Sequence, residues 1–173
     1  MQSFEERLKG GHPNSLGNTV EIVEEVLTDE SRFAELFSCY FSDDEVVRLR
    51  VSNAMKRIAK EQRSWLTPYI DRFQQEIAKI DQASTQWTLA QLYDMLRKDM
   101  SDKQIEIAKK QMQHNLATHQ DWIVLNTCMA TLGKWAKKDA DLQAWLGPHL
   151  ERLALDSRKS VARRAQKLLQ STK

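Results

Sequence analysis

The sequence predicts an all-α chain, a right-handed superhelical αα solenoid of about four helical hairpins, and three observations predict it. Five Gly and three Pro are spread through 173 residues, so little interrupts a helix. Apolar residues recur at intervals of three and four, as in Val20, Val23, Val26 and Leu27, and no stretch alternates as a strand does. A sequence of hairpin size also returns, because WLTPYIDRF at 65–73 comes back as WLGPHLERL at 145–153.

Candidate N-caps place the elements in order. They are Asn18, Asp29, Asp43, Thr67 ahead of Pro68, Ser84, Ser101, Asp121, Asp139 and Asp156. Each carries an oxygen that can take up a free helix N–H, or precedes a Pro suited to the first turn. They divide the chain into roughly nine or ten helices, each about ten to eighteen residues long. Residues 12–17 form the one ordered loop, and Pro13, Asn14 and Ser15 are expected to cap the helix after it. The chain therefore reads as a single repeat domain: an N-terminal segment at 1–17, then helical units at 18–43, 44–81, 82–119, 120–155 and 156–173. The acidic helix with Glu21, Glu24 and Glu25 is expected to cap one end of the stack. Arg163, Arg164 and Lys167 are expected to keep the last helix soluble.

The repeat extends beyond the nine-residue match. Asp44, Val47, Val51, Met55, Ile58 and Ala59 correspond to Asp121, Val124, Cys128, Leu132, Trp135 and Ala136 at a constant offset of 77. A weaker copy sets QWTLAQ at 86–91 beside DWIVLN at 121–126, and a fourth, from Asp156, keeps Val161, Ala165, Leu168 and Leu169 in phase with Val47, Val51, Ala54 and Met55, giving spacings of 42, 35 and 37 residues. Asp44, Val47, Arg48, Val51, Ala54 and Met55 resemble the second helix of HEAT and armadillo-like repeats, which opens with Asp, then Val-Arg, then small and apolar residues. Later copies depart from the pattern, with Ala90, Leu125 and Ala162 in place of the Arg. The resemblance covers residues 29–173, extends to a group of small bacterial HEAT-type proteins of unassigned function, and implies stacked hairpins whose second helices line a concave face.

Composition narrows the function classes. The first twenty residues have neither the basic region nor the apolar run of a secretory signal, and no apolar stretch has the length of a membrane span. Cys39 and Cys128 fall outside any CxxC spacing. The expectation is a soluble cytoplasmic protein with no membrane partner. The net charge of +2 conceals a split, −8 over residues 1–45 and +10 over 46–173, which suits either an anionic partner or a solvated helical surface. Gly133-Lys134 lacks the preceding Gly of a phosphate loop, and no GxGxxG, GxSxG or HExxH occurs. His114 and His119, five apart, lie on different helix faces. No catalytic residue, metal or cofactor is assigned, and the chain is not expected to be an enzyme. Cys128 and Trp135 fall on an apolar stripe, and Trp65 and Trp145 are read as packing residues.

The candidate site comes from the residues opposite each second helix's apolar stripe, at 100° per residue. They are Glu45, Leu49, Ser52, Lys56 and Lys60; then Trp87, Gln91, Asp94 and Lys98; then Trp122, Asn126, Met129, Gly133 and Lys137; then Lys159, Arg163, Gln166 and Gln170. Trp87 and Trp122 either anchor a ligand or wedge between repeats. The first expectation is a non-catalytic module that binds a protein or peptide, using Trp87, Gln91, Asp94, Lys98, Trp122, Asn126, Met129, Lys137, Lys159 and Arg163. The alternative is nucleic-acid binding, with phosphates on Lys98, Lys137, Lys159 and Arg163. The fold also resembles bacterial HEAT-like alkylpurine DNA glycosylases. Asn126 and Gln91 stand four residues after Trp122 and Trp87, where that chemistry needs a carboxylate, and Asp94 lies one turn further on. Glycosylase activity is therefore not expected.

Overall fold

The protein is described from a computed structural model that covers residues 2–12 and 14–171. Pro13, one of the three residues expected to cap the first long helix, lies outside the described residues, as do 172 and 173 of the last unit. Among the described residues every regular element is helical. The chain divides into two compact units, Met1–Met100 and Ser101–Lys173, so that the segment at 82–119 is shared between them.

The first unit holds α1 (Phe4–Leu8), α2 (Thr19–Thr28), α3 (Phe33–Ser38), α4 (Glu45–Glu61), α5 (Arg63–Leu66), α6 (Ile70–Gln75) and α7 (Ala83–Leu96), with 3-10 turns between several of them. The central helix is α4. Asp44 starts it by accepting a bond from the Val46 N–H at 2.8 Å, and it ends where Gln62 leaves helical geometry. Its Val47, Val51, Ala54, Met55 and Ile58 are wholly buried, packed against α2 on one side and α7 on the other. Arg48 fixes the second contact: its Nε donates to Gln82 Oε1 at 2.7 Å, while Gln82 Nε2 donates to the Glu45 carbonyl at 2.9 Å. The N-terminal ends of α4 and α7 are thereby held together. An aromatic cluster lies under α3 and α6, where Phe37 meets Phe73 edge-on at 5.3 Å and carries the Arg72 guanidinium 4.7 Å above its ring.

The second unit holds α8 (Asp102–Thr118), α9 (Trp122–Ala136), α10 (Ala140–Leu153) and α11 (Lys159–Ser171). Three expected caps act as such. Ser101 forms a capping box with Gln104, Asp121 accepts from Ile123 and Val124, and Asp139 accepts from Leu142 while also pairing with Lys109. At the centre lies α9, packed against α8, α10 and α11. It runs in the same direction as α11, since Asn126 meets Ser160 and Arg164 while Gly133, two turns on, meets Leu168. A Cβ at Gly133 would come 2.8 Å from Leu168 Cδ2, so glycine there lets the two helices close.

Several expectations need correction. The helices of the first unit are not all ten to eighteen residues long; α3, α5 and α6 are one or two turns each, with 3-10 turns among them. The two WL-Pro copies show one reason. Thr67 crowds the ring of Pro68 with a branched Cβ, and the chain tightens to 3-10 over Thr67–Tyr69. Gly147 has no Cβ, and Pro148 sits inside an unbroken α10. The cap near residue 43 is Asp44, and α7 starts from Gln82 rather than Ser84, which is buried. Asn18 precedes α2 but donates its amide to the Arg7 carbonyl instead of capping, while Asn14 and Ser15 bond within their own loop.

Asp156 lies three residues before α11 and acts as a pin. Its carboxylate accepts from the Arg158 backbone, Nε and Nη2, and Arg158 Nη1 reaches back to the Gln120 carbonyl ahead of α9. These bonds to Arg158 hold the Asp156 pKa down to about 2. A carboxyl lowered in the folded state stabilises it fully above its unfolded pKa of about 3.9, and that contribution is lost as pH falls toward 2. Asp156→Asn should therefore melt below the wild type at pH 6, with the gap closing as pH falls to about 2; a gap independent of pH would remove the pin.

Candidate binding groove

The first residue of α9 places Trp122 at a helix end. The Asp121 cap fixes the backbone there, and Trp122 is 49% exposed, although such residues are usually covered. One turn on, Asn126 donates to Ser160 Oγ at 3.3 Å and accepts from Arg164 Nε at 3.1 Å. Opposite them stands the polar face of α11, whose Val161 and Ala165 are buried on the other side. Trp122, Asn126, Ser160, Arg163, Arg164 and Lys167 enclose an open groove of about 430 Å³.

Its electrostatics are one-sided. Among the described residues no carboxylate lines the groove, and no ion pair joins Lys159, Arg163, Arg164 or Lys167 to one. Asn126 matters for that reason. An amide orients Arg164 without cancelling its charge, whereas a carboxylate at the same place would form an ion pair and neutralise it. The second unit carries thirteen basic and seven acidic residues, a net +6, so the surrounding field has the same sign.

The structure distributes the sequence-derived candidates unevenly. Trp122, Asn126 and Arg163 come together in the groove, and Lys159 lies exposed at the start of α11. Met129 does not belong to the exposed face: it is wholly buried, because α11 covers this face of α9 between its contacts at Asn126 and Gly133. Lys137 is exposed at the other end of α9, where it lines a different cavity. Trp87, Gln91 and Asp94 are half-buried on α7 in the first unit, and Lys98 is exposed in the 3-10 turn after it. Trp87 lines its own shallow, mostly apolar groove of about 210 Å³ with Val46, Leu49 and Ala83. Ser52, placed on the open face of α4, is buried because α4 is covered on both flanks.

Sequence reasoning missed Ser160, Arg164 and Lys167 as site residues and assigned the last two to solubility. The signal was present, since 160, 163, 164 and 167 share one helical face opposite Val161 and Ala165. Cys39 and Cys128 are free and buried, and burial pushes both thiols up to about 12, so neither is poised as a nucleophile. Among the described residues no cluster of His, Cys, Asp and Glu is arranged to hold a metal, and no helix is long and apolar enough to cross a membrane.

Comparisons of the chain with protein-family models, curated proteins and solved structures find no match.

Proposed function

We propose that the protein is a non-catalytic interaction module, a HEAT-like solenoid of about four hairpins, working in the cytoplasm and holding an acidic segment of a protein partner in the groove beside Trp122. The observation that carries this reading is a half-exposed Trp122 sharing a groove with three cations of α11, with no carboxylate lining it among the described residues. Neighbouring second helices also lie side by side within each unit, α4 beside α7 and α9 beside α11. An extended peptide fits an open groove of this kind better than a reaction that needs water excluded. A buried Trp or Arg anchor contributes on the order of 2 kcal/mol to binding.

A second reading, single-stranded nucleic acid, is favoured by the indole and the cations sharing one face. Base stacking on Trp122 would contribute about 1–3 kcal/mol, and phosphate contacts from the groove's three cations would give a salt slope of about −2.1 for a single strand.

One titration separates the two. Fluorescein-labelled Glu-rich peptides carrying one aromatic residue, and an oligothymidylate of matched length, are each followed by anisotropy. Trp122→Ala should weaken the peptide about 30-fold at unchanged helicity. An equal affinity for the wild type and the Trp122 variant removes the groove as the site. An oligothymidylate bound more tightly than every peptide, with nuclease-sensitive absorbance at 260 nm in the purified protein, replaces the first reading by the second.

A further inference from the structure

The opposite end of the second unit holds a separate cavity of about 350 Å³, more enclosed than the Trp122 groove, and the proposed function makes no use of it. Its walls come from the last turn of α9, the middle of α10 and the end of α11. Ala136, Leu146, Leu150, Leu168 and Leu169 supply aliphatic walls, and polar atoms make up the other half of its lining. Two glycines border it for different reasons. Gly133 lets Leu168 pack closely, as described above. At Gly147, by contrast, a Cβ would meet nothing within 4 Å, so the missing side chain that accommodates Pro148 also leaves this space open.

Three polar side chains reach the cavity, and one of them carries charge. Among the described residues Lys137 is the only charged one lining it, it is exposed, and no ion pair joins it to a carboxylate. Gln143 and Ser171 add an amide and a hydroxyl. Aliphatic walls on one part of the lining and a single cation among the polar groups complement a molecule with a short hydrocarbon chain and one negative end. At about 30 Å³ for each water displaced, the cavity has room for roughly a dozen waters. A chain of about eight carbons with a carboxylate occupies a comparable space, and its size falls within the ordinary range of small-molecule pockets.

We propose that this cavity is a binding site for a medium-chain aliphatic monocarboxylate, with the hydrocarbon among Leu146, Leu150, Leu168 and Leu169 and the carboxylate on Lys137. The site is independent of the Trp122 groove.

The test uses the full chain, titrated with sodium octanoate and with 1-octanol and followed by calorimetry and amide NMR. Octanoate is expected to bind with shifts centred on the end of α9, Gly147 and the end of α11. Octanol is expected to bind about tenfold more weakly, because it forgoes the charge-assisted bond. Gly147→Leu fills the chamber and should lose both ligands at unchanged helicity. Lys137→Gln, a surface change that leaves the helices intact, should equalise the two ligands and keeps the test decisive where the filled variant does not fold. The proposal is overturned if the wild type shows no saturable binding at about millimolar octanoate, if Lys137→Gln leaves the preference unchanged, or if the shifts centre on Trp122.

Discussion

Replacing Arg50 with Met should cost the first unit on the order of 3 kcal/mol, the largest loss expected from a single substitution outside the apolar core. Arg50 sits on the buried stripe of α4 beside Val47, Val51 and Ala54, and only 2% of it is exposed. Among the described residues no ion pair joins it to a carboxylate. Its guanidinium donates to four carbonyls of the N-terminal segment: Leu8 at 2.7 Å, Gly10 at 2.6 Å, and His12 and Ser15 at 3.2 Å each. The described residues of that segment from Lys9 to Asn18 are all exposed, so the loop is held by its backbone rather than by buried side chains. Gly17 is at φ +53, and a Cβ there would lie 2.9 Å from Arg50 Nη1, so glycine serves both the turn and the close approach.

Met retains the apolar stem of Arg50 but leaves the four carbonyls without a cation. The loop then gains by turning to water, which limits the loss and localises it. Amides of the loop should lose their protection from hydrogen exchange, and α1, whose Phe4 and Leu8 are wholly buried, should loosen with it. Arg50→Lys keeps the charge but lacks the planar fork that reaches several carbonyls at once, and should fall between the two. Urea unfolding of the three proteins checks the order. A Met variant within about 0.5 kcal/mol of the wild type would show that the loop is held by something else.

This loop marks the limit of what the sequence made legible. The elements that could be read were those whose cause is local. Ser101, Asp121 and Asp139 cap the helices that follow them, and Val124, Cys128, Leu132 and Trp135 fall on one buried stripe because a 3.6-residue period puts them there. Arg50 occupies a stripe position as a charged residue, and three glycines at 10, 11 and 17 stand far from it in sequence. Nothing local joins them, because the bonds span 35 to 42 residues. Met129 failed for a related reason. The helical wheel put it on the same face as Trp122, correctly as to angle, but whether that face is covered depends on α11, which lies along it from Asn126 to Gly133 and leaves the N-terminal end open. Periodicity gives the direction of a side chain and not what another element places over it.

Reversing two charges on α11 should have the largest effect on function. With Arg163→Glu and Arg164→Glu together, the groove changes from three cations to one, Lys167, facing two carboxylates. Like charges brought together at an interface cost several kcal/mol, so an acidic peptide should bind at least about 100-fold more weakly. Folding should be little affected, because both side chains are exposed and no ion pair is broken; only the 3.1 Å bond from Arg164 to Asn126 is lost. Asn126→Asp serves as the graded companion. It keeps the geometry and both arginines but gives Arg164 a counter-charge, so it should weaken the peptide about tenfold. That order, with the wild type tightest and the double reversal weakest, follows only if the free positive charge beside Trp122 draws the ligand in. A double reversal that binds the acidic peptide as well as the wild type would show that the charge is solvated surface, leaving Trp122 as a ring exposed for another reason.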